Sequence, residues 1–383
     1  MNKSGRIAFI NCRTYTGGSG LITIPFAFNT VLKLQHEWQI DLLLGELPNT
    51  EYNCQLSANV NLRFIHKALT RRSYLKEADL LRSCLTRINY SAVFGMGQIG
   101  VYIAYILAKL NRCPLIVFND EFPSCFGRSR WTEKEAKALR NADIICVPDI
   151  NRVKTLCREV PGIASKTFIE ILNTPIRDGT ALPKLNWHQR LGLKPGTIPV
   201  ICAGGMGDHN QIPELLYSVH SWPDKYVLIL RGNNPVFAGE YRDTLRHLDI
   251  PNRTIWYLDL LSTADFESLF QYCRASVALY RWQGDNMIEM GKASGKILRS
   301  ISLGVPVIAT NFPSLSFVAS SRTGVLINHP SEISSAIQRI DASHSDFSSR
   351  CIEFGQSVLS YENCWAQLKM SIERVSGLAL GVC

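Results

Sequence analysis

Short apolar runs alternate with longer helical stretches along this chain, and this alternation most constrains how it can fold. Several runs are apolar throughout, as expected of strands that helices cover on both faces. In the first half the predicted strands are 6–11, 39–44, 60–65, 90–94, 114–118, 143–148 and 167–172. Regular succession of strand and helix predicts an α/β architecture with a parallel sheet.

A segment rich in proline and glycine, 173–198, interrupts the alternation. The pattern then restarts, with predicted strands at 199–205, 226–232, 254–259, 275–280 and 305–310. We therefore expect two α/β domains, 1–178 and 179–358, followed by a helical tail in 359–383. Ligands of parallel sheets bind at the carboxyl ends of the strands, so we expect the site in the cleft between these domains.

The charge balance favours anionic partners. Lysine and arginine number 41 against 32 aspartates and glutamates, a net charge of +9. Part of the excess falls in 63–87, where apolar residues recur at helical spacing. This segment predicts an amphipathic helix whose basic face is either simply solvated or attracted to an anionic membrane surface. Because the basic run lacks interleaved aromatic residues and a nucleic-acid-binding motif, we expect no nucleic-acid partner.

Features of the termini and cysteines predict where the protein works. The N-terminal residues run directly into a strand rather than forming a signal peptide. The longest apolar stretch, 93–110, contains glycines and a glutamine and is shorter than a membrane span. The 12 cysteines are scattered without the spacing of a metal site. We expect a cytoplasmic protein, at most peripheral at the inner face of the membrane.

The stretch ASGKILRSISLGVPVIAT (293–310) carries the most informative pattern. Ser294, Gly295 and Lys296 open a predicted helix whose first N–H groups are unpaired and form the positive end of its dipole. Gly295 allows a ligand to approach the backbone, and Lys296 adds a full charge. This combination is typical of a phosphate cradle. The alternative is an ordinary capped helix, since serine is a common N-cap.

The same stretch resembles the donor-site segment of GT-B glycosyltransferases, especially those of glycosyltransferase family 4. Weaker likenesses include Gly204-Gly205 after a strand, the run 226–232, the segment 324–330, and Gly17-Gly18-Ser19 after the first strand. Together they cover nearly the whole chain. The resemblance implies two Rossmann-like domains facing each other across a cleft, with a C-terminal helix crossing back to the first. It also implies retaining transfer from a nucleotide sugar such as a UDP-sugar, in surface polysaccharide or glycolipid assembly.

The resemblance implies roles for individual residues. The donor-binding residues would be Gly204, Gly205, Arg231, Asp285, Asn286, Glu289, Ser294, Gly295, Lys296 and Arg299. The acceptor-side residues would be Gly17, Gly18 and Ser19. Lys296 would stabilise charge on the leaving diphosphate. Asn119, Asp120 and Glu121 complete the expected catalytic set, with Asp120 or Glu121 as base if the reaction inverts. The donor is a substrate, and we expect no cofactor and no metal.

Several positions depart from the family pattern. Arg299 and Gly291 occupy positions that commonly hold an acidic residue. Gly205 stands where an arginine is common, and Asn119 where a histidine is common. The acid at the position of Arg299 commonly contacts the donor ribose. Binding of the phosphates would then depend on Lys296, Arg231 and the helix N-terminus. A degenerate, non-catalytic member of the family is an alternative.

A second motif supports a different function. Gly95-Met96-Gly97-Gln98-Ile99-Gly100 follows a strand and opens a helix, and Asp120 ends the next strand. This context is typical of a dinucleotide-binding unit, in which the acid binds a ribose hydroxyl. An NAD(P)-dependent oxidoreductase is therefore the alternative to the transferase. The glycines would otherwise serve to pack a helix tightly against the sheet.

Overall fold

A computed structural model describes residues 5–11, 25–44, 56–64, 88–127, 129–175, 181–232 and 235–377. The chain divides into two compact units. The first comprises Met1–Ile176 with Tyr361–Cys383, and the second Arg177–Ser360. Gly17, Gly18 and Ser19, and all but the first two residues of the predicted basic helix 63–87, lie outside the described residues.

The described part of the first unit is built on a seven-stranded sheet in the order β3-β2-β1-β4-β5-β6-β7. All neighbouring strands run parallel, which confirms the predicted architecture. The strands are β1 Arg6–Asn11, β2 Gln39–Leu44, β3 Val60–Phe64, β4 Ala92–Met96, β5 Leu115–Phe118, β6 Ile144–Val147 and β7 Thr167–Glu170. The helices between them are α1 Pro25–Leu34, α2 Gln98–Asn111, α3 Arg130–Asn141 and α4 Val153–Glu159.

The interior of the first sheet is aromatic. The Phe9 ring lies 5.7 Å from that of Phe94 and 5.6 Å from that of Phe118, measured between centroids. These three side chains come from the adjacent strands β1, β4 and β5 and are fully buried. The predicted apolar stretch 93–110 is divided between β4 and α2. None of the helices in the described residues is long and apolar enough to cross a membrane.

The second unit contains a six-stranded parallel sheet in the order β10-β9-β8-β11-β12-β13, counted over the described residues. Its strands are β8 Ile198–Gly204, β9 Tyr226–Gly232, β10 Thr254–Trp256, β11 Ala275–Ala278, β12 Val307–Thr310 and β13 Gly324–Ile327. Its helices are α5 Trp187–Arg190, α6 Ile212–Ser218, α7 Pro235–Leu245, α8 Thr263–Tyr272, α9 Gly284–Ile288, α10 Gly295–Ser302, α11 Ser316–Ser320, α12 Ile333–Ala342 and α13 His344–Ser357.

Strand β13 was not among the strands predicted from the sequence. It is only four residues long, and its apolar residues Val325, Leu326 and Ile327 form too short a run to indicate a strand. Gly324 pairs with Val307 of β12, and a Cβ at Gly324 would lie 1.9 Å from the Val307 carbonyl oxygen. Glycine is therefore required for this pairing.

The last described helix, α14 Tyr361–Ser376, belongs to the first unit. The hydroxyl of Tyr361 lies 2.7 Å from the Thr30 hydroxyl of α1, and both side chains are buried. Lys369 Nζ lies 3.0 Å from Glu37 Oε1. These contacts attach the C-terminal helix to α1 and to the residues that follow it.

Candidate functional site

The carboxyl ends of β8 and β9 form one edge of the second sheet, where Gly204 pairs with Gly232. Gly204 has φ of +117°, a conformation that side-chain-bearing residues rarely adopt. A Cβ on Gly204 would lie 3.9 Å from Cδ and 4.0 Å from Cε of Lys296. The aliphatic part of Lys296, on the first turn of α10, therefore lies against the end of β8.

The Lys296 ammonium has neutral partners. Its Nζ donates a hydrogen bond to Asn210 Oδ1 at 2.8 Å and lies 4.6 Å from the centre of the Tyr280 ring. Among the described residues, no carboxylate forms an ion pair with it. Burial lowers the pKa of Lys296. The site therefore holds a desolvated cation whose charge the described protein groups leave uncompensated.

Asn210 fixes the position of that ammonium, although the sequence analysis did not identify it. Its Nδ2 donates to the Gly205 carbonyl at 2.8 Å and lies 2.8 Å from Nε2 of His209. Burial and the nearby Lys296 charge lower the pKa of His209, which favours the neutral imidazole. The one sequence feature that could have indicated this role is the position of Asn210, a polar residue between a glycine-rich turn and the helix α6.

Ser294 serves as the N-cap of α10. Its Oγ accepts from the Ile297 amide at 3.4 Å and lies 2.5 Å from the Tyr280 hydroxyl. The side chain is buried, so this hydroxyl is engaged within the protein. The amides of Gly295 and Lys296, in contrast, make no hydrogen bond with any described residue. The cap and the cradle are thus compatible, because capping by Ser294 leaves the first two amides of α10 open.

The other predicted donor residues lie around the same edge of the second sheet. Arg231 is near the end of β9, and Arg299 is on α10; both contact the Phe266 ring of α8. Gly205 follows β8 and supplies the carbonyl that holds Asn210. The remaining three, in the connection between β11 and α10, are Asp285, Asn286 and Glu289.

The predicted catalytic residues of the first unit follow β5. Asn119 is buried and donates to the Glu121 carbonyl at 3.0 Å. Burial and the Glu121 charge raise the pKa of Asp120 well above its ordinary value. Burial also raises the pKa of Glu135, on α3, to about 7. The Glu135 charge also acts on Asp120, so Glu135 belongs to the same acidic group, which no local sequence pattern indicates.

The glycine motif that begins in β4 and runs into α2 has a packing role. A Cβ on Gly95 would lie 2.6 Å from Ala104 Cβ and 2.9 Å from Val101 Cα of α2. Gly97 has φ of +69° at the start of that helix. Because Gly95 has no side chain, α2 can pack closely on β4. This packing explains the glycine at position 95 without requiring a bound dinucleotide.

No group of three or more histidine, cysteine, aspartate or glutamate side chains within the described residues is arranged to hold a metal ion.

The two parallel α/β sheets define the GT-B fold, as the sequence resemblance implied. HepE of Anabaena, solved with UDP-glucose, is 13% identical with a TM-score of 0.72, over 98% of this chain and 100% of HepE. WaaG, a glycosyltransferase involved in lipopolysaccharide biosynthesis, is 12% identical with a TM-score of 0.67, over 97% and 100%.

The fold also occurs in a putative UDP-N-acetylglucosamine 2-epimerase from Listeria monocytogenes. That structure is 11% identical with a TM-score of 0.61, over 98% of each chain. No protein-family model and no curated protein matches this sequence. At these identities the similarity establishes the fold, and evidence for the activity has to come from the residues of the site.

Proposed function

We propose that this chain is a glycosyltransferase that moves a sugar from a nucleotide-sugar donor, a UDP-sugar in the first instance, to a glycan or lipid-linked acceptor. The observation that carries the proposal is the Lys296 side chain, which lies against Gly204 and whose ammonium forms no ion pair with a described residue, at the start of a helix whose first two amides are open. A diphosphate suits this end of α10, because its oxygens accept hydrogen bonds both from a cation and from backbone N–H groups. HepE, of the same fold, has been solved with UDP-glucose.

The chemistry follows from the charge that develops on the leaving group. When the bond between the sugar and the diphosphate breaks, negative charge builds on the departing phosphate oxygen. The Lys296 ammonium and the amides of Gly295 and Lys296 would stabilise that charge. Because these groups are already positioned in the folded second unit, little reorganisation is required during the reaction.

We also propose that the transfer retains the configuration of the donor sugar. An inverting transferase needs a base that is ionised at working pH, to deprotonate the acceptor hydroxyl. Burial and the charge of Glu121 raise the pKa of Asp120, which counts against Asp120 as that base and leaves Glu121 as the other candidate. The family resemblance also implies retention, and it implies assembly of surface polysaccharide or glycolipid. The basic segment 63–87 would suit an acceptor at an anionic membrane surface.

Isothermal titration with UDP tests the donor site. We expect the wild-type protein to bind UDP. Lys296→Met should bind it at least about tenfold more weakly, because it loses a charged hydrogen bond to the phosphate. Lys194→Met removes an exposed lysine of the same unit and should leave binding unchanged. Failure of wild-type protein to bind any nucleoside diphosphate would overturn the proposal.

Product analysis separates transfer from other reactions of nucleotide sugars. With a UDP-sugar and acceptor, a transferase releases UDP and forms a glycosylated product. An epimerase instead rearranges the sugar and does not transfer it to the acceptor. Detection of a rearranged sugar, with no glycosylated acceptor, would contradict the proposal.

A further inference from the structure

Two arginines of the second unit contact one phenylalanine. The Cζ of Arg231 lies 5.8 Å from the centre of the Phe266 ring, and that of Arg299 lies 5.1 Å from it. Both distances are within the range of cation–π contact. The carboxyl end of β9 and the helices α8 and α10 thus bring two guanidinium groups to the same aromatic ring.

Neither guanidinium is neutralised by an ion pair with a described residue. Arg231 is only 7% exposed; its Nη1 donates to the Gly232 carbonyl, and its Nε has no partner among the described residues. Arg299 is half-buried and its side chain makes no hydrogen bond there. Asp259, the carboxylate whose charge acts on Arg231, is exposed and accepts a hydrogen bond from Tyr257.

An anion is the ligand that this cluster fits best. A buried cation such as Arg231 is unfavourable without an ion-pair partner, and a neutral ligand would not supply one. A phosphate group compensates the charge and accepts paired hydrogen bonds from a guanidinium. Arg299 follows Lys296 by one helical turn on the same face of α10, so this anion would lie near the one at Lys296.

We propose that Arg231, Phe266 and Arg299 form a second anion subsite of the donor site, for a phosphate group other than the one at Lys296. The inference rests on the proposed function and specifies its substrate. The phosphate is either the second phosphoryl group of the diphosphate or a phosphate ester on the ribose. This subsite accounts for an arginine at position 299, where related sequences often have an acid that would repel a phosphate.

Titration calorimetry with three ligands tests the subsite: uridine 5′-monophosphate, uridine 5′-diphosphate and uridine 3′,5′-bisphosphate. In the wild-type protein, one of the two-phosphate ligands should bind at least about tenfold more tightly than the monophosphate. Arg299→Gln should remove this gain and leave monophosphate binding within about twofold. A gain with the 5′-diphosphate assigns the diphosphate as the source, and a gain with the bisphosphate alone assigns the ribose ester.

Arg231→Met provides a second variant, and Arg339→Gln a matched control, since Arg339 is exposed on α12 of the same unit. Thermal midpoints establish that each variant is folded. The gain in affinity from the second phosphate could persist in both Arg299→Gln and Arg231→Met, or fall equally in Arg339→Gln. Either result, with UDP still bound by the wild-type protein, would show that the subsite is wrong while the proposed function stands. If the wild-type protein binds none of the three nucleotides, both are wrong.

Discussion

The Lys296 ammonium and the Asn210 side-chain carbonyl are 86 residues apart in sequence and 2.8 Å apart in space. A neutral oxygen orients the lysine without neutralising it, so the charge stays available to an anion. A carboxylate at position 210 would instead hold the ammonium in an internal ion pair. This pairing gives the candidate donor site its electrostatic character.

Replacing the lysine separates binding from stability. In Lys296→Met the ligand-free protein should keep its free energy of unfolding within about 1 kcal/mol, because loss of one hydrogen bond is offset by loss of a desolvated charge. At a UDP concentration well above both dissociation constants, UDP should stabilise this variant by at least about 1.4 kcal/mol less than it stabilises the wild-type protein. Urea denaturation with and without UDP measures both quantities. A ligand-free loss above about 3 kcal/mol would show that Lys296 is primarily structural.

Glycine at position 204 is required by its backbone conformation. Gly204→Ala should lower the free energy of unfolding by about 1–3 kcal/mol, because alanine is strained at φ of +117°. The new methyl group would lie 3.9 Å from Lys296 Cδ, an ordinary van der Waals contact, so the destabilisation comes from the backbone conformation. Gly239→Ala, within the helix α7, is the control and should be neutral or stabilising by up to about 1 kcal/mol. Equal effects of the two changes would contradict this account of Gly204.

The glycine motif of the first unit yields a test of the oxidoreductase alternative. Gly95→Ala should destabilise the protein by about 1–3 kcal/mol, because its Cβ would approach Ala104 Cβ to 2.6 Å. NAD and NADP should leave the thermal midpoint of the wild-type protein unchanged. A cofactor-dependent rise in that midpoint, abolished by Gly95→Ala, would restore the dinucleotide hypothesis.

Protonation of Glu135 predicts how stability depends on pH. Its pKa is about 7 in the folded protein, against an ordinary value of 4.5. As pH rises between these values the unfolded chain loses the proton while the folded protein keeps it, so the free energy of unfolding falls. Glu135→Gln should remove this loss, which amounts to about 3 kcal/mol at most.

Denaturation of the wild-type and Glu135→Gln proteins at pH 5 and pH 8 measures the difference. Glu133→Gln changes an exposed carboxyl group on the same helix and should retain the wild-type pH dependence. If all three proteins lose the same free energy between the two pH values, Glu135 is not the titrating group.

The strands were predictable wherever they were long and apolar. The strand 226–232, for example, is buried along its whole length, and its almost continuous apolar sequence predicts that helices cover both faces of the sheet. β13 was missed because it is only four residues long and its position depends on Gly324 fitting against Val307. Its pairing with β12 cannot be predicted from the pattern of its own residues.

The candidate site was predictable only in part. Ser294, Gly295 and Lys296 are contiguous, so their local chemistry could be derived from helix geometry. Asn210 and Phe266 carry no distinctive local pattern and gain their roles only from contacts with Lys296 and with the two arginines.

The order of residues along the chain determined the succession of strands and helices, because burial periodicity is a local property. It also determined that a lysine and open amides begin α10. Tertiary structure decided which groups that lysine meets, and it brought Arg231 and Arg299 to the same aromatic ring. Such charge relations arise between distant segments, because parallel strands bring their carboxyl ends to a single edge of the sheet.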